Sequence, residues 1–253
     1  MRISSSMVWV ASLLSWAAPC FAQQPPATEE PPPRFEASAQ FSLLATSGNT
    51  AARSLGTGGE LAFRPESWVF SAKAAYAESE ADDVLDARSV VGVFRARRSM
   101  TDRLSVYGQY GYLHDRFAGV EARHTIDGGL SFAVLARAPQ FLDLDAGVGY
   151  ERESRVDDDS ENRAIFSGGA LYRWEFSKTS AFREDFRYVQ AFDRASNWKI
   201  DQTVSLTATI TAVFSLKISN VVRYVHEPVP DFEPTDTITT VALVWSFRRP
   251  AAP

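Results

Sequence analysis

The sequence has 253 residues, with 26 Lys and Arg against 31 Asp and Glu, for a formal net charge of −5. A mildly acidic chain lacks the basic footprint of a nucleic-acid binder, so no nucleic acid is expected as partner. Its one cysteine, Cys20, lies near the N-terminus, and disulfide, thiol and cysteine-metal chemistry drop out once that segment is removed.

Residues 1–22 have the three-part pattern of a cleaved secretory signal. Arg2 gives a positive start, Met7 to Ala18 is an apolar run too short to span a bilayer, and Cys20 and Ala22 are small residues before a cut at Gln23. The competing reading, a lipoprotein lipidated on Cys20, is disfavoured by Pro19, which stands where such processing needs a small residue. Gln23 to Pro33 (QQPPATEEPPP) reads as a proline-rich linker, residues 34–247 as one domain, and residues 248–253 as a short tail.

No segment after the signal has the 18 or more consecutive apolar residues of a transmembrane helix. What recurs is alternation over about ten to thirteen residues, the length of a strand tilted across a membrane. In chain order the pattern predicts twelve strands: Arg34 to Ala45, Ser54 to Arg64, Trp68 to Ala77, Arg88 to Arg98, Arg103 to His114, Ala122 to Val134, Phe141 to Glu151, Arg163 to Phe176, Ala181 to Phe192, Trp198 to Ile210, Phe214 to Val225 and Asp236 to Phe247. The fold class is therefore an all-β, antiparallel up-and-down transmembrane barrel of an outer membrane. An even strand count puts both termini on one side, expected to be periplasmic.

Parity sorts the side chains. In the last strand Thr239, Val241, Leu243, Trp245 and Phe247 share the face suited to lipid. In Trp198 to Ile210 the outward set is broken only by Gln202, while in Ala181 to Phe192 the inward set holds Arg183, Asp185 and Arg187. Short links such as Pro65 to Ser67 and Ser177 to Ser180 alternate with longer ones, expected to be Glu78 to Ala87, Arg152 to Asn162 and His226 to Thr235. Aromatic residues form two expected belts at the headgroup levels. One contains Phe63, Trp68, Phe132, Trp174, Phe176, Phe182, Phe214, Trp245 and Phe247; the other contains Tyr76, Tyr110, Tyr112, Tyr150, Phe192, Trp198 and Tyr224.

Four stretches carry a family resemblance: Ser47-Gly48-Asn49-Thr50, the run His114-Asp115-Arg116-Phe117-Ala118-Gly119, Gly128-Gly129-Leu130-Ser131-Phe132, and Thr235-Asp236-Thr237 running into Leu243-Val244-Trp245-Ser246-Phe247. Their order and spacing resemble the salt-induced outer membrane proteins, a family defined by a domain of unknown function. The resemblance covers Arg34 to Phe247 and implies a location and a fold. It carries no reaction, ligand or catalytic residue. Barrels of this kind often stop at a terminal aromatic, whereas here Phe247 is followed by Arg248 to Pro253.

Catalytic combinations are poorly supported. His114 and His124 fall on the outer face of one hairpin, but His124 is followed by Thr125 and Ile126, so the serine two residues on that lipase chemistry needs is missing. Asp143 and Asp145 form a D-x-D pair resembling the carboxylates of outer-membrane proteases; they lie at the periplasmic end of their strand, where pairing with lumen arginines is the favoured reading. The run Asp157-Asp158-Asp159 lacks the spacing of a calcium loop and reads as solvated charge, and Ser47 to Thr50 reads first as a turn. No cofactor, metal or catalytic residue is expected.

The expected lumen lining is Arg95, Arg97, Asp143, Asp145, Arg173, Glu175, Arg183, Asp185 and Arg187, with Glu60, Arg64, Lys73, Asp127, Lys199, Asp201, Lys217 and Arg223 on the same parity. Both signs are represented, so long side chains could line a narrow pore for ions or small solutes, or bridge the lumen shut. The expectation is a non-enzymatic envelope barrel of the first kind, with a structural or stress-related closed barrel as the alternative and an outer-membrane hydrolase third. Expected partners are outer-membrane lipid and lipopolysaccharide, and the barrel assembly machinery.

Overall fold

Strands of alternating apolar and polar residues can bury neither face alone, and a sheet in lipid cannot leave an edge unpaired; closure solves both problems. The computed structural model describes residues 33–46, 52–81, 84–156, 158–228 and 232–249. The signal, most of the linker, the Ser47 to Thr50 turn and Asp157 lie outside the described residues. Twelve strands follow in order: β1 Phe35–Thr46, β2 Ala52–Phe63, β3 Trp68–Ala81, β4 Val84–Ser99, β5 Leu104–Asp115, β6 Val120–Arg137, β7 Gln140–Arg155, β8 Asp158–Trp174, β9 Ser180–Ala191, β10 Trp198–Thr209, β11 Phe214–Val225 and β12 Thr235–Arg249. Each pairs antiparallel with its sequence neighbours, and β1 closes on β12, from Phe35 opposite Arg249 to Phe41 opposite Leu243. The described ends of β1 and β12 thus share one rim, here the terminal rim; the other is the far rim.

The predicted parity holds along the wall. On β12 Val241, Leu243, Trp245 and Phe247 are exposed to the outside, while Ala242 and Val244 are buried inside. At the terminal rim the outer face carries Phe35 against Phe247, Trp68 stacked on Phe70, and Trp174 beside Phe176. Toward the far rim Trp198 packs with Tyr188, Tyr224 and His226. Rings at both levels suit the two interfaces of a bilayer.

Two sequence expectations need correction. The acid-rich stretches Glu78 to Ala87 and Arg152 to Asn162 are not long loops: β3 runs to Ala81 and β4 starts at Val84, while β7 runs to Arg155 and β8 starts at Asp158. Their backbones stay in the ladder, Glu80 opposite Leu85 and Arg155 opposite Asp158, so they extend the hairpins; only the β11–β12 connection keeps the expected length. Arg248 and Arg249, assigned to the tail, continue β12.

Charge sorting also has an exception. Glu184 shares the outer face with Phe182 and Phe186, and Gln202 of the next strand donates to its carboxylate at 2.6 Å. Asn220 likewise donates to Thr239 at 2.9 Å on the outer face of β11 and β12. Both of these outward polar pairs are thus satisfied within the wall, as hydrocarbon demands.

The backbones of β6 and β7 approach closely at their glycines. A Cβ placed on Gly147 would lie 2.5 Å from the Tyr107 hydroxyl and 2.8 Å from the Gly128 carbonyl. Gly147→Val is therefore expected to cost about 1–3 kcal/mol, the usual penalty of overpacking. Urea unfolding in detergent measures it; an unchanged midpoint would show that the wall relaxes there. At the far rim, β5 passes into a single 3-10 turn, Arg116–Ala118, capped by the Asp115 side chain and ended by Gly119 at φ 75. The backbone reverses there in a conformation that only glycine adopts at little cost.

Candidate functional site: the charged lumen

Because parity sends every second residue inward, the interior gathers the charges the outer face excludes. The diagnostic contacts join strands that are not neighbours, since such side chains can meet only across the lumen. Lys73 of β3 reaches Asp185 of β9 at 3.1 Å, and Arg223 of β11 reaches Asp115 of β5 at 2.9 Å. In a ring of twelve, strands six apart are opposite walls, so one ion pair spans the full width. The cross-section is accordingly flattened rather than round.

Three levels follow along the axis. In the half nearer the terminal rim, Arg95 pairs with Asp145 at 2.8 Å and Arg97 with Asp143 at 3.2 Å, both bridging β4 to β7. The Arg95 guanidinium also lies over the Tyr107 ring, 4.0 Å from its centroid. Arg183 sits 3.6 Å from both Glu60 and Asp185, and Lys217 is 4.0 Å from Glu60. These side chains keep between about a fifth and two-fifths of their surface in contact with water.

At mid-depth Asp127 is a hub. Its buried carboxylate accepts from Arg187 at 2.8 Å, from Ser167 at 3.1 Å and from Tyr107 at 3.3 Å, joining β5, β6, β8 and β9. Tyr107 reaches it over Gly147, where any side chain would block the ring.

Above the hub, toward the far rim, the lumen is packed and dry. Glu151 and Glu153 of β7 receive the Lys199 ammonium of β10 at 2.7 and 2.6 Å. Glu153 also takes Arg123 and, at 2.8 Å, Arg155; Arg163 stands 3.3 Å from Glu151 and 3.4 Å from Glu153. Glu151, Glu153, Arg163 and Lys199 are all at most 4% exposed. Two buried carboxylates shared among four cations satisfy their lone pairs from several sides, which is what keeps such charges in a low-dielectric site. Nearest the mouth, Arg223 also donates to Ser89 at 3.1 Å, tying β11 to β4 and to the capped turn after β5. On the rim itself Arg194 lies 3.4 Å from Glu227, and the Ser196 hydroxyl and this cation hold the Glu227 carboxyl below its ordinary range.

Seven of the nine expected lining residues meet in this interior network: Arg95, Arg97, Asp143, Asp145, Arg183, Asp185 and Arg187. Arg173 and Glu175 do not join it. They pair with each other at 3.4 Å at the terminal mouth, about half exposed, with Arg173 over the Phe141 ring at 4.2 Å. The sequence reading missed the densest part of the lumen: Asp115, Arg123, Glu151, Glu153 and Arg163. The signal is present in the sequence, because Glu151, Glu153 and Arg155 continue the parity of Asp143 and Asp145; Glu153 and Arg155 fall in the expected loop Arg152 to Asn162, whereas Arg123, Glu151 and Arg163 lie inside predicted strands on the inward parity.

His124 and His226 each bind a tyrosine hydroxyl through Nδ1, Tyr110 at 2.8 Å and Tyr224 at 3.1 Å, and His114 holds the Glu121 carbonyl. All lie on the outer face near the far rim, away from the lumen carboxylates. Among the described residues no three His, Cys, Asp or Glu side chains converge as metal ligands. The side chains of Asp157 to Asp159 lie outside the described residues.

A closed, twelve-stranded, up-and-down antiparallel barrel with an apolar, aromatic-belted exterior and a charged interior has the architecture of an outer-membrane protein. Among solved structures, the NanC porin matches with a TM-score of 0.50 at 9% identity, over 83% of this chain and 98% of that one. The translocator domain of the autotransporter NalP from Neisseria meningitidis matches at 0.48 and 11% identity, over 87% of this chain and 90% of that one. At such identity the NanC likeness is one of fold alone. The uncharacterized protein YdiY of Escherichia coli K12 is 25% identical over 224 residues, covering 88% of this chain and 86% of that relative. The model of the family described as proteins of unknown function, DUF481, matches residues 39–247, and the chain belongs to that family.

Proposed function

We propose that the protein is a non-enzymatic outer-membrane barrel that passes ions or small polar solutes through a narrow, ion-pair-lined lumen, and that the conformation described here is its closed state. Both termini face the periplasm in this reading, so the wetter half of the lumen is a periplasmic vestibule and the dry network is an outer gate. One observation carries it: charged side chains occupy the interior at every level, and they pair across the lumen instead of being replaced by an apolar core. Ion pairs can be exchanged for water and passing ions, whereas interlocked apolar side chains cannot. A non-enzymatic role is supported by the pairing of Asp143 and Asp145 with arginines and by the absence of a serine two residues after His124.

The second reading, a structural barrel with a permanently closed lumen, is favoured by the burial of Glu151, Glu153, Arg163 and Lys199. Single-channel recording of the refolded barrel separates the two. The pore reading expects brief, small openings of the wild type and sustained conductance after Glu151→Ala with Glu153→Ala. A folded double variant as silent as the wild type would leave the structural reading standing.

A further inference from the structure

The outer wall carries a feature unrelated to the lumen. Register places Tyr112, His124 and Arg152 side by side on β5, β6 and β7, facing outward near the far rim. The Tyr110 hydroxyl and His124 Nδ1 share a hydrogen bond at 2.8 Å; in the arrangement where the hydroxyl donates, the imidazole proton resides on Nε2 and is left for another acceptor. Arg152 is exposed and has no ion pair or hydrogen bond among the described residues. The outward acids nearby already have cations: Glu121 with Arg116 at 3.0 Å, and Glu78 with Arg88 at 2.8 Å.

Directly toward mid-barrel from this row the wall is hollow. A trough of about 560 Å³ is lined by the outward Phe94, Ala96, Tyr110, Ile126 and Val148 and floored by Gly108 and Gly128, with Gln109 and Asp127 beside these glycines in the strand. Ala96, Gly108 and Gly128 are consecutive in one cross-strand row, and a Cβ built on Gly108 meets nothing within 4 Å. Gly128 lies four residues along β6 from His124, about 13 Å at strand rise. Tyr110 belongs to both parts, forming the trough wall with its ring and holding His124 with its hydroxyl.

We propose that this is a binding site for one outer-leaflet lipid with a phosphorylated head and acyl chains, of the lipid A type. The phosphate takes the His124 Nε2–H and the Arg152 guanidinium, and an acyl chain fills the trough over Gly108. Charge complementarity names the head, since two outward donors without an acid of their own stand at the headgroup level; the apolar trough below them names the tail. The choice of leaflet rests on the termini being periplasmic, and the site does not depend on whether the lumen conducts.

The test is native mass spectrometry of the full barrel in detergent with bisphosphorylated lipid A, its dephosphorylated form, and inorganic phosphate as competitor. The wild type should retain bisphosphorylated lipid A, and His124→Ala with Arg152→Ala should weaken retention about tenfold, as expected on losing charge-assisted hydrogen bonds. Gly108→Leu, whose side chain enters open space in the trough, should also reduce retention with the head donors intact. Each variant's fold is checked by heat-modifiable migration, and the exposed Arg152→Ala change alone serves if the double variant fails to fold. Equal retention of phosphorylated and dephosphorylated lipid, or variants that bind like the wild type, would overturn the proposal. So would displacement of the lipid by millimolar phosphate, which would mark a free-phosphate site, or a protein dimer appearing in place of the lipid-bound monomer.

Discussion

Lys199→Met should destabilise the barrel by about 3–5 kcal/mol, the cost of breaking a buried ion pair by removing one partner. The ammonium lies 2.7 Å from Glu151 and 2.6 Å from Glu153, and all three side chains are at most 5% exposed. Arg123 and Arg163 remain after the change, but they approach from β6 and β8, so the lumen loses its link from β7 to β10. Methionine fills a similar volume, which confines the effect to charge. The matched control is Arg173→Met at the terminal mouth, where the pair with Glu175 is half exposed and worth about 0–1 kcal/mol. Urea titration of both variants in detergent checks the contrast; equal losses would mean that the far half of the lumen is as wet as the mouth.

Val241→Arg should cost about 2–4 kcal/mol, the range for a cation placed at the middle of a barrel's lipid face. Val241 is 57% exposed, pairs with Ile218 and stands between the ring levels marked by Trp245 and Tyr224, too deep for the head to snorkel cheaply. Ser215→Arg supplies the inward comparison. Ser215 lies opposite Val244 on the lumen side near the terminal rim, where an added guanidinium can reach the water of the mouth. Its cost should be less than half as large, about 1 kcal/mol. Refolding free energies that fail to separate the two would refute the assignment of faces.

The barrel was legible because its cause is periodic. Residues such as Leu243 and Val244 carry their destination in parity alone, and an even number of tilted-strand segments can close only one way. What parity does not supply is distance across the ring. Arg187, Asp127 and Ser167 are far apart in sequence, and only the flattened section brings three walls onto one carboxylate. Strand ends were harder for a different reason. Glu151-Arg152-Glu153-Ser154-Arg155 has the polarity of a loop, yet its inward Glu151 and Glu153 are each 2% exposed and its outward Arg152 continues the ladder beside His124. Glu184 defeats parity reasoning altogether, since its outward position is tolerated through Gln202 on the adjacent strand.

The central claim is a lumen open to water from the terminal rim and sealed toward the far rim by paired charges. Because the chain from Gln23 onward contains no cysteine, single cysteines can be introduced without background. Reaction of a small charged thiol reagent with Ser215→Cys, inside the vestibule, should be at least about a hundredfold faster than with Ser167→Cys, whose side chain is buried against Asp127. Adding Glu151→Ala and Glu153→Ala should bring Ser167→Cys toward the vestibule rate. Equal rates at the two positions in the otherwise unaltered barrel would contradict the account.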